Sequence, residues 1–229
     1  MRRNPRLLIL AALAATTLAG ALAITLPAAA GGSSALAIRP GSTLWLTGTS
    51  TLHDYEAKAS QLEVTFACDP ARWPAERTGA DAIEALIRAQ GVSTIDVIVA
   101  VTGLKSHKEG LDKNMYKALL AEKHPEIRFH VASYEVGAAD SAGLPIAARG
   151  TLTVAGVERQ ITITAHALRE GEAIRLRAEV PLLMTDYGIK PPKMMMGAIK
   201  TGDRVVVHFD LVIAVAEAPP APASASGTE

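Results

Sequence analysis

Three consecutive residues, His53, Asp54 and Tyr55, combine an imidazole, a carboxylate and a phenol, side chains that serve as acid, base or polar anchor near neutral pH. In an extended strand, neighbouring side chains point to opposite faces, and no nucleophile lies nearby in an activating motif. Catalysis through His53 or Asp54 therefore ranks behind two other readings, a structural turn and a polar contact at the mouth of a binding site. The remaining histidines show no metal-ligand spacing. His107 and His124 stand alone, whereas His130, His166 and His208 fall on polar faces of alternating segments, where exposure to solvent is the simplest reading. Cys68 is the single cysteine, so no internal disulfide and no Cys/His cluster is available. It continues the apolar parity of Leu62, Val64 and Phe66, which predicts a buried, inert thiol. Neither a metal nor a cofactor is expected.

Charge sets further limits. With 23 basic and 23 acidic residues among 229, the chain lacks the surplus of Lys and Arg that phosphate neutralisation requires, so nucleic acid is excluded as an expected partner. Arg2, Arg3 and Arg6 precede an uncharged run from Leu7 to Ala30 that ends in three alanines before Gly31. Residues 1–30 read as a secretory signal, or as an N-terminal anchor if uncleaved, and place the protein in the periplasm or outside the cell. Residues 217–229, rich in Ala, Pro and Ser without apolar periodicity, read as a loose tail. Between them, residues 36–216 are enough for one domain.

Period-two alternation dominates that domain. Val157, Ile161, Ile163 and Ala165 share one face while Glu158, Gln160, Thr162 and Thr164 share the other. The same holds for Ile127, Phe129 and Val131, for Ile174, Leu176, Ala178 and Val180, and for Val205, Val207, Phe209, Leu211 and Ile213. Further strands are expected over 43–48, 56–67, 94–102 and 147–154, eight in all. In the 56–67 segment the apolar parity switches between Ala59 and Leu62, which predicts a bulge or bend. Ala155-Gly156 is a hairpin signal. Only Asp81–Gln90, with Asp81 as its cap, and Lys108–Glu122 read as helices, and both suit surface helices or lids. Successive strands with few helices favour a closed antiparallel barrel or a sandwich over an α/β fold.

An eight-stranded barrel is either filled by its own side chains or holds one small ligand. Only three Phe, four Tyr and two Trp serve the whole chain, and the inward positions are largely Val, Ile, Leu and Ala. Small aliphatic walls fill volume poorly, and such a lumen suits a flexible hydrocarbon chain. The candidate lining consists of Val64, Phe66, Val97, Val99, Phe129, Val131, Leu152, Ile161, Ile163, Leu176, Phe209 and Leu211 on strands. Leu111 and Met115 join them from the second helix, and His53 and Tyr55 from the mouth. Met194 and Met195 belong to a loop, stiffened by Pro191-Pro192, that reads equally as a gate or as packing against the core. Lys105, Lys108, Lys113, Lys117 and Lys123 cluster near the second helix, a basic group that would attract anionic lipid headgroups, but acidic neighbours dilute the effect and membrane-surface contact is not the favoured reading.

Four segments, in order, carry a family resemblance: Thr47-Gly-Thr-Ser-Thr-Leu-His-Asp-Tyr55; Gly110-Leu-Asp-Lys-Asn-Met-Tyr116 with His124-Pro-Glu-Ile-Arg-Phe129; Gly150-Thr-Leu-Thr-Val-Ala-Gly-Val157; and Gly202-Asp-Arg-Val-Val-Val-His-Phe209. Together they resemble the YceI-like family across nearly the whole mature domain. The resemblance implies an all-β fold, an eight-stranded antiparallel lipocalin-like barrel with one or two short helices. It also implies export, a lumen for a polyisoprenoid or related long-chain lipid, and a helix over Leu111–Leu120 covering part of the barrel. The segment from Cys68 to Val92 is longer than the usual family link. The expected function is storage or transport of a long apolar chain of polyisoprenoid, quinone or fatty-acyl type, without covalent chemistry. The rivals are a filled-barrel scaffold, a lipid-modifying enzyme using His53 or Asp54, and a quinone-handling electron-transfer accessory.

Overall fold

The structure is a computed structural model and describes residues 35–194 and 199–216. The expected leader (1–30) and tail (217–229) lie outside the described residues. In chain order the elements are β1 (Leu36–Ile38), β2 (Thr43–Ser50), β3 (Tyr55–Ala59), β4 (Glu63–Cys68), α1 (Gly79–Arg88), β5 (Val92–Ala100), β6 (Leu104–Lys105), α2 (Glu109–Ala118), β7 (Glu126–Val136), β8 (Leu144–Val154), β9 (Val157–Glu170), β10 (Ala173–Leu183), β11 (Lys193–Met194) and β12 (Ile199–Val215).

Twelve hydrogen-bonded runs thus replace the eight strands expected from sequence, and the difference has local causes. Strand 55–68 breaks into β3 and β4 at the parity switch, because Tyr55 and Ala57 face inward before it and Leu62, Val64 and Phe66 after it. The two-residue period brings both sets inward only if the chain bends between them. Strand 92–105 breaks into β5 and β6 at a 3₁₀ turn, Val101–Gly103. The two breaks lie opposite each other. Lys58 and Ala59 pair with Lys105 and Leu104, the Ser60 amide donates to the Gly103 carbonyl at 2.9 Å, and pairing resumes at Glu63 with Ile98. The other two additions are β1 and β11, short runs that pair only with β12.

With each broken strand counted once, the sheet order β4-β5-β7-β8-β9-β10-β12-β2-β3-β6 closes on itself, because its first and last members belong to the same pair of kinked strands. The result is an antiparallel lipocalin-like barrel of eight long strands, joined round through the two-residue β3–β6 pairing, while β4 is hydrogen-bonded only to β5. Its β8–β9 hairpin turns on Ala155 and Gly156 with φ of +49° and +79°, the pair of left-handed residues that matches strand twist across a two-residue loop.

One end is shut by α1. Ile83 and Leu86 have no exposed surface, and with Leu36, Ile174 and Ile213 they form the main buried cluster. Removing a side chain of this size from water contributes about 1.5–3 kcal/mol. The helix starts two residues before the expected Asp81, with Thr78 at its N-cap and no side-chain cap bond. Asp81 and Glu84 instead accept from Arg169 of β9, and Arg88 donates to Glu84 at 2.9 Å. The last turn is held by Arg72, whose guanidinium donates to the carbonyls of Ala89 and Gln90 at 2.6 and 3.1 Å. The second helix is shorter than the expected Lys108–Glu122 and none of its residues is buried, which befits a lid over a space.

Candidate functional site

Inward side chains in the middle of a filled barrel would be buried like those beneath α1. Here Val64, Ile95, Val97, Phe129, Leu176, Val207 and Phe209 face the centre and remain only half-buried. They face a void of about 310 Å³ whose lining is almost wholly apolar. All three phenylalanines of the chain, Phe66, Phe129 and Phe209, lie on its wall.

The lining of the void runs from Ile83 and Ile87 of α1 to Leu111 and Met115 of α2 and Leu119 at its C-cap, and includes Pro192, Thr201 and the exposed Leu183. At its closed end the Tyr134 hydroxyl donates to the Ile87 carbonyl and accepts from the Val92 amide, so no polar group is offered to a guest there. At the α2 end the polar groups in the lining are those of Tyr55, Asn114, Tyr187 and Thr201. Burial raises the phenol pKa of Tyr55 and, together with the charge of Asp186, that of Tyr187, so both hydroxyls stay protonated as donors.

Polar contacts outside the barrel hold α2 over the opening. Asp112 accepts from the Ser106 amide and hydroxyl at 2.8 and 2.5 Å, and Tyr116 donates to the carbonyls of Thr102 and Leu104 at 3.0 and 2.7 Å. Lys105 in turn donates to the Tyr116 hydroxyl at 2.9 Å. The facing rim is the β2–β3 turn, organised by Ser50, whose hydroxyl donates to the His53 carbonyl and accepts from the amides of Leu52 and His53. Thr51 ties that turn to Lys200 by two hydrogen bonds.

Tyr55, Val64, Phe66, Val97, Val99, Leu111, Met115, Phe129, Val131, Leu152, Ile161, Ile163, Leu176, Phe209 and Leu211 all line the void. His53 does not. It sits exposed on the turn with Nε2 3.1 Å from the Lys108 ammonium, because β3 begins only at Tyr55 and the turn carries His53 and Asp54 outward. Met194 is described only as a residue of β11 paired with Ile199, and Met195 lies outside the described residues. Two further readings are corrected. His208 is not solvent-exposed: its ring stacks on Trp45 at 5.0 Å and hydrogen-bonds Thr47 at 3.1 Å. Cys68 is only half-buried, although that burial raises its thiol pKa. His130 is exposed and meets Asp96 at 2.7 Å. Among lining residues absent from the candidate set, Leu44 and Leu46 were accessible from strand parity, Val205 and Val207 already shared the apolar face of Phe209, and Asn114 and Tyr187 carry no local signal.

A closed antiparallel barrel with a hollow apolar lumen and one helix over its mouth defines the lipocalin-like class. The chain belongs to the YceI-like domain family, whose model matches residues 55–213. Three solved structures share the fold. Burkholderia cenocepacia BcnA is 14% identical over 75% of this chain and 96% of its own, with a TM-score of 0.55. The Campylobacter jejuni YceI protein is 16% identical over 70% and 85%, with a TM-score of 0.50. A polyisoprenoid-binding domain from Saccharophagus degradans is 12% identical over 80% and 99%, with a TM-score of 0.55. No match is found among curated protein sequences.

Proposed function

We propose that this protein is an exported carrier that holds one long apolar chain, of polyisoprenoid or similar type, inside the barrel. The observation that carries the reading is the half-buried apolar wall around the void, since apolar surface left facing empty space forfeits contacts that a guest would supply. The void holds part of a long hydrocarbon chain, and the remainder would extend through the mouth. The polyisoprenoid-binding description of the Saccharophagus degradans domain is consistent with such a guest. Tail and head are oriented by polarity: the tail lies toward α1, and a polar head lies near the hydroxyls of Tyr55 and Thr201. Holding is favoured over turnover because His53 and Asp54 face solvent outside the lumen. The leader-like residues 1–30 support export.

The test is mass spectrometry of the organic extract of protein purified from the periplasm without detergent. A stoichiometric long-chain lipid is the expected result. Folded protein from that compartment with a clean extract, and with no affinity for added polyprenol, would overturn the reading.

A further inference from the structure

Among the described residues, three large apolar side chains stand exposed: Leu52 at 69%, Leu120 at 47% and Leu183 at 43%. They come from three separate elements, the β2–β3 turn, the C-terminal end of α2 and the end of β10, yet the turn meets the start of α2 through His53 and Lys108 and Leu183 lines the void, so all three lie toward the α2 end of the barrel. Each is held out by construction. The Ser50 hydrogen bonds build the turn that carries Leu52. Leu183 ends a strand and also lines the cavity mouth. Leu120 adopts φ of +55°, the left-handed region that favours glycine after a helix, so a leucine is kept there against local preference.

Charge is distributed the same way. The chain has nine lysines, and eight of them, five between residues 105 and 123 and three between 190 and 200, lie at this end with exposed side chains. The closed end carries arginines instead, several of them in ion pairs such as Arg72 with Asp69 and Arg88 with Glu84. Acidic residues lie among the lysines: Asp112 and Asp203 are taken up by hydrogen bonds from Ser106 and Thr185, whereas Asp54, Glu109, Glu122 and Asp186 are exposed.

We infer that the α2 end of the barrel docks on an anionic bilayer surface, with Leu52, Leu120 and Leu183 entering the interface and the lysines meeting the headgroups. Apolar side chains ringed by cations match a surface that is itself apolar beneath and anionic above. A soluble protein partner has no such layered chemistry, and a second copy would set lysines against lysines. The docking would put the open lumen against the source of its guest. Its purpose rests on the carrier reading, but the binding event does not.

The experiment is amide hydrogen exchange by mass spectrometry on the full chain, with vesicles of phosphatidylcholine alone or with about 30% phosphatidylglycerol. Exchange around residues 50–54, 118–123 and 182–185 is expected to slow about tenfold or more on the anionic vesicles, with 69–88 unchanged, and the protection should fade as salt rises. Because the readout is local, an N-terminal segment that anchors the chain would not imitate it. Leu120→Gly removes an exposed leucine and relieves its backbone, so it should leave the fold at least as stable while weakening rim protection several-fold; Leu52→Ser should do likewise. Equal rim exchange on both vesicle types, rim protection unaffected by both variants, or rim protection that depends on protein concentration without vesicles would overturn the inference. Lipid in the extract with no rim protection removes the docking alone. Rim protection with an empty lumen removes the carrier reading alone.

Discussion

Ala148 lies on β8 between Tyr134 of β7 and Ile163 of β9, with its methyl facing the void. Replacing it with Phe puts a ring into a space of about 310 Å³. The ring takes the room of roughly four guest methylenes, and at about 0.8 kcal/mol each the gross loss is about 3 kcal/mol. Allowing the guest to shift toward the mouth leaves about 2–3 kcal/mol, or about a hundredfold weaker binding. Ala147→Phe, one residue away on the outer face, adds the same ring and should leave binding unchanged. The assay is displacement of a fluorescent polyene acid, alongside urea unfolding of each variant. In a hollow barrel Ala148→Phe should unfold at or above the urea midpoint of the parent. In a filled barrel it would be destabilised by the 1–3 kcal/mol typical of overpacking. A variant that folds as well as the parent and binds as tightly would show that the guest lies elsewhere, and the reasoning about the lumen would be refuted.

Tyr55→Phe should weaken a hydroxyl-headed long-chain guest by about two- to tenfold, one neutral hydrogen bond, and leave a plain hydrocarbon chain unaffected in the same displacement assay. Gly150→Ala should cost about 1–3 kcal/mol in urea unfolding, because its Cβ would stand 2.2 Å from the His130 carbonyl oxygen, backbone that cannot turn aside. Glu84 is held below its ordinary value of 4.5, first by the hydrogen bond from Arg88 and then by Arg169. A carboxylate with a lowered folded pKa stabilises above its unfolded value and loses that contribution as pH falls through the folded one. Glu84→Gln should therefore lower the melting temperature slightly at pH 7, by the equivalent of about 1 kcal/mol or less, and the gap from the parent should close on acidification below the carboxylate range.

The strand pattern was legible because a barrel wall divides solvent from interior, and the two-residue side-chain period writes that division directly into the order of residues. It placed Val64, Phe129, Ile163 and Phe209 on the inner face without knowledge of any partner strand, and the parity switch after Ala59 announced the bend that splits β3 from β4. The period says nothing of His53, because alternation has meaning only inside a strand and the strand starts at Tyr55; of the turn and the mouth contact open to it, the structure shows the turn. His208 was misread for a related reason: an outward position counts as exposed only until a neighbour such as Trp45 from β2 lies across it. Asn114 and Tyr187 reach the lumen from a helix and a short 3₁₀ turn whose orientation is set by contacts far away in sequence.

The alternation and the order of the four family-like segments determined the class of wall and which side of it faces in. Whether that wall encloses a packed core or an empty space was decided only by closure of the ring, because both interiors call for the same apolar residues and differ only in the distance across. The gathering of eight lysines and three exposed leucines at one end was likewise hidden, since residues 52, 120 and 183 become neighbours only when β2, α2 and β10 meet at the mouth.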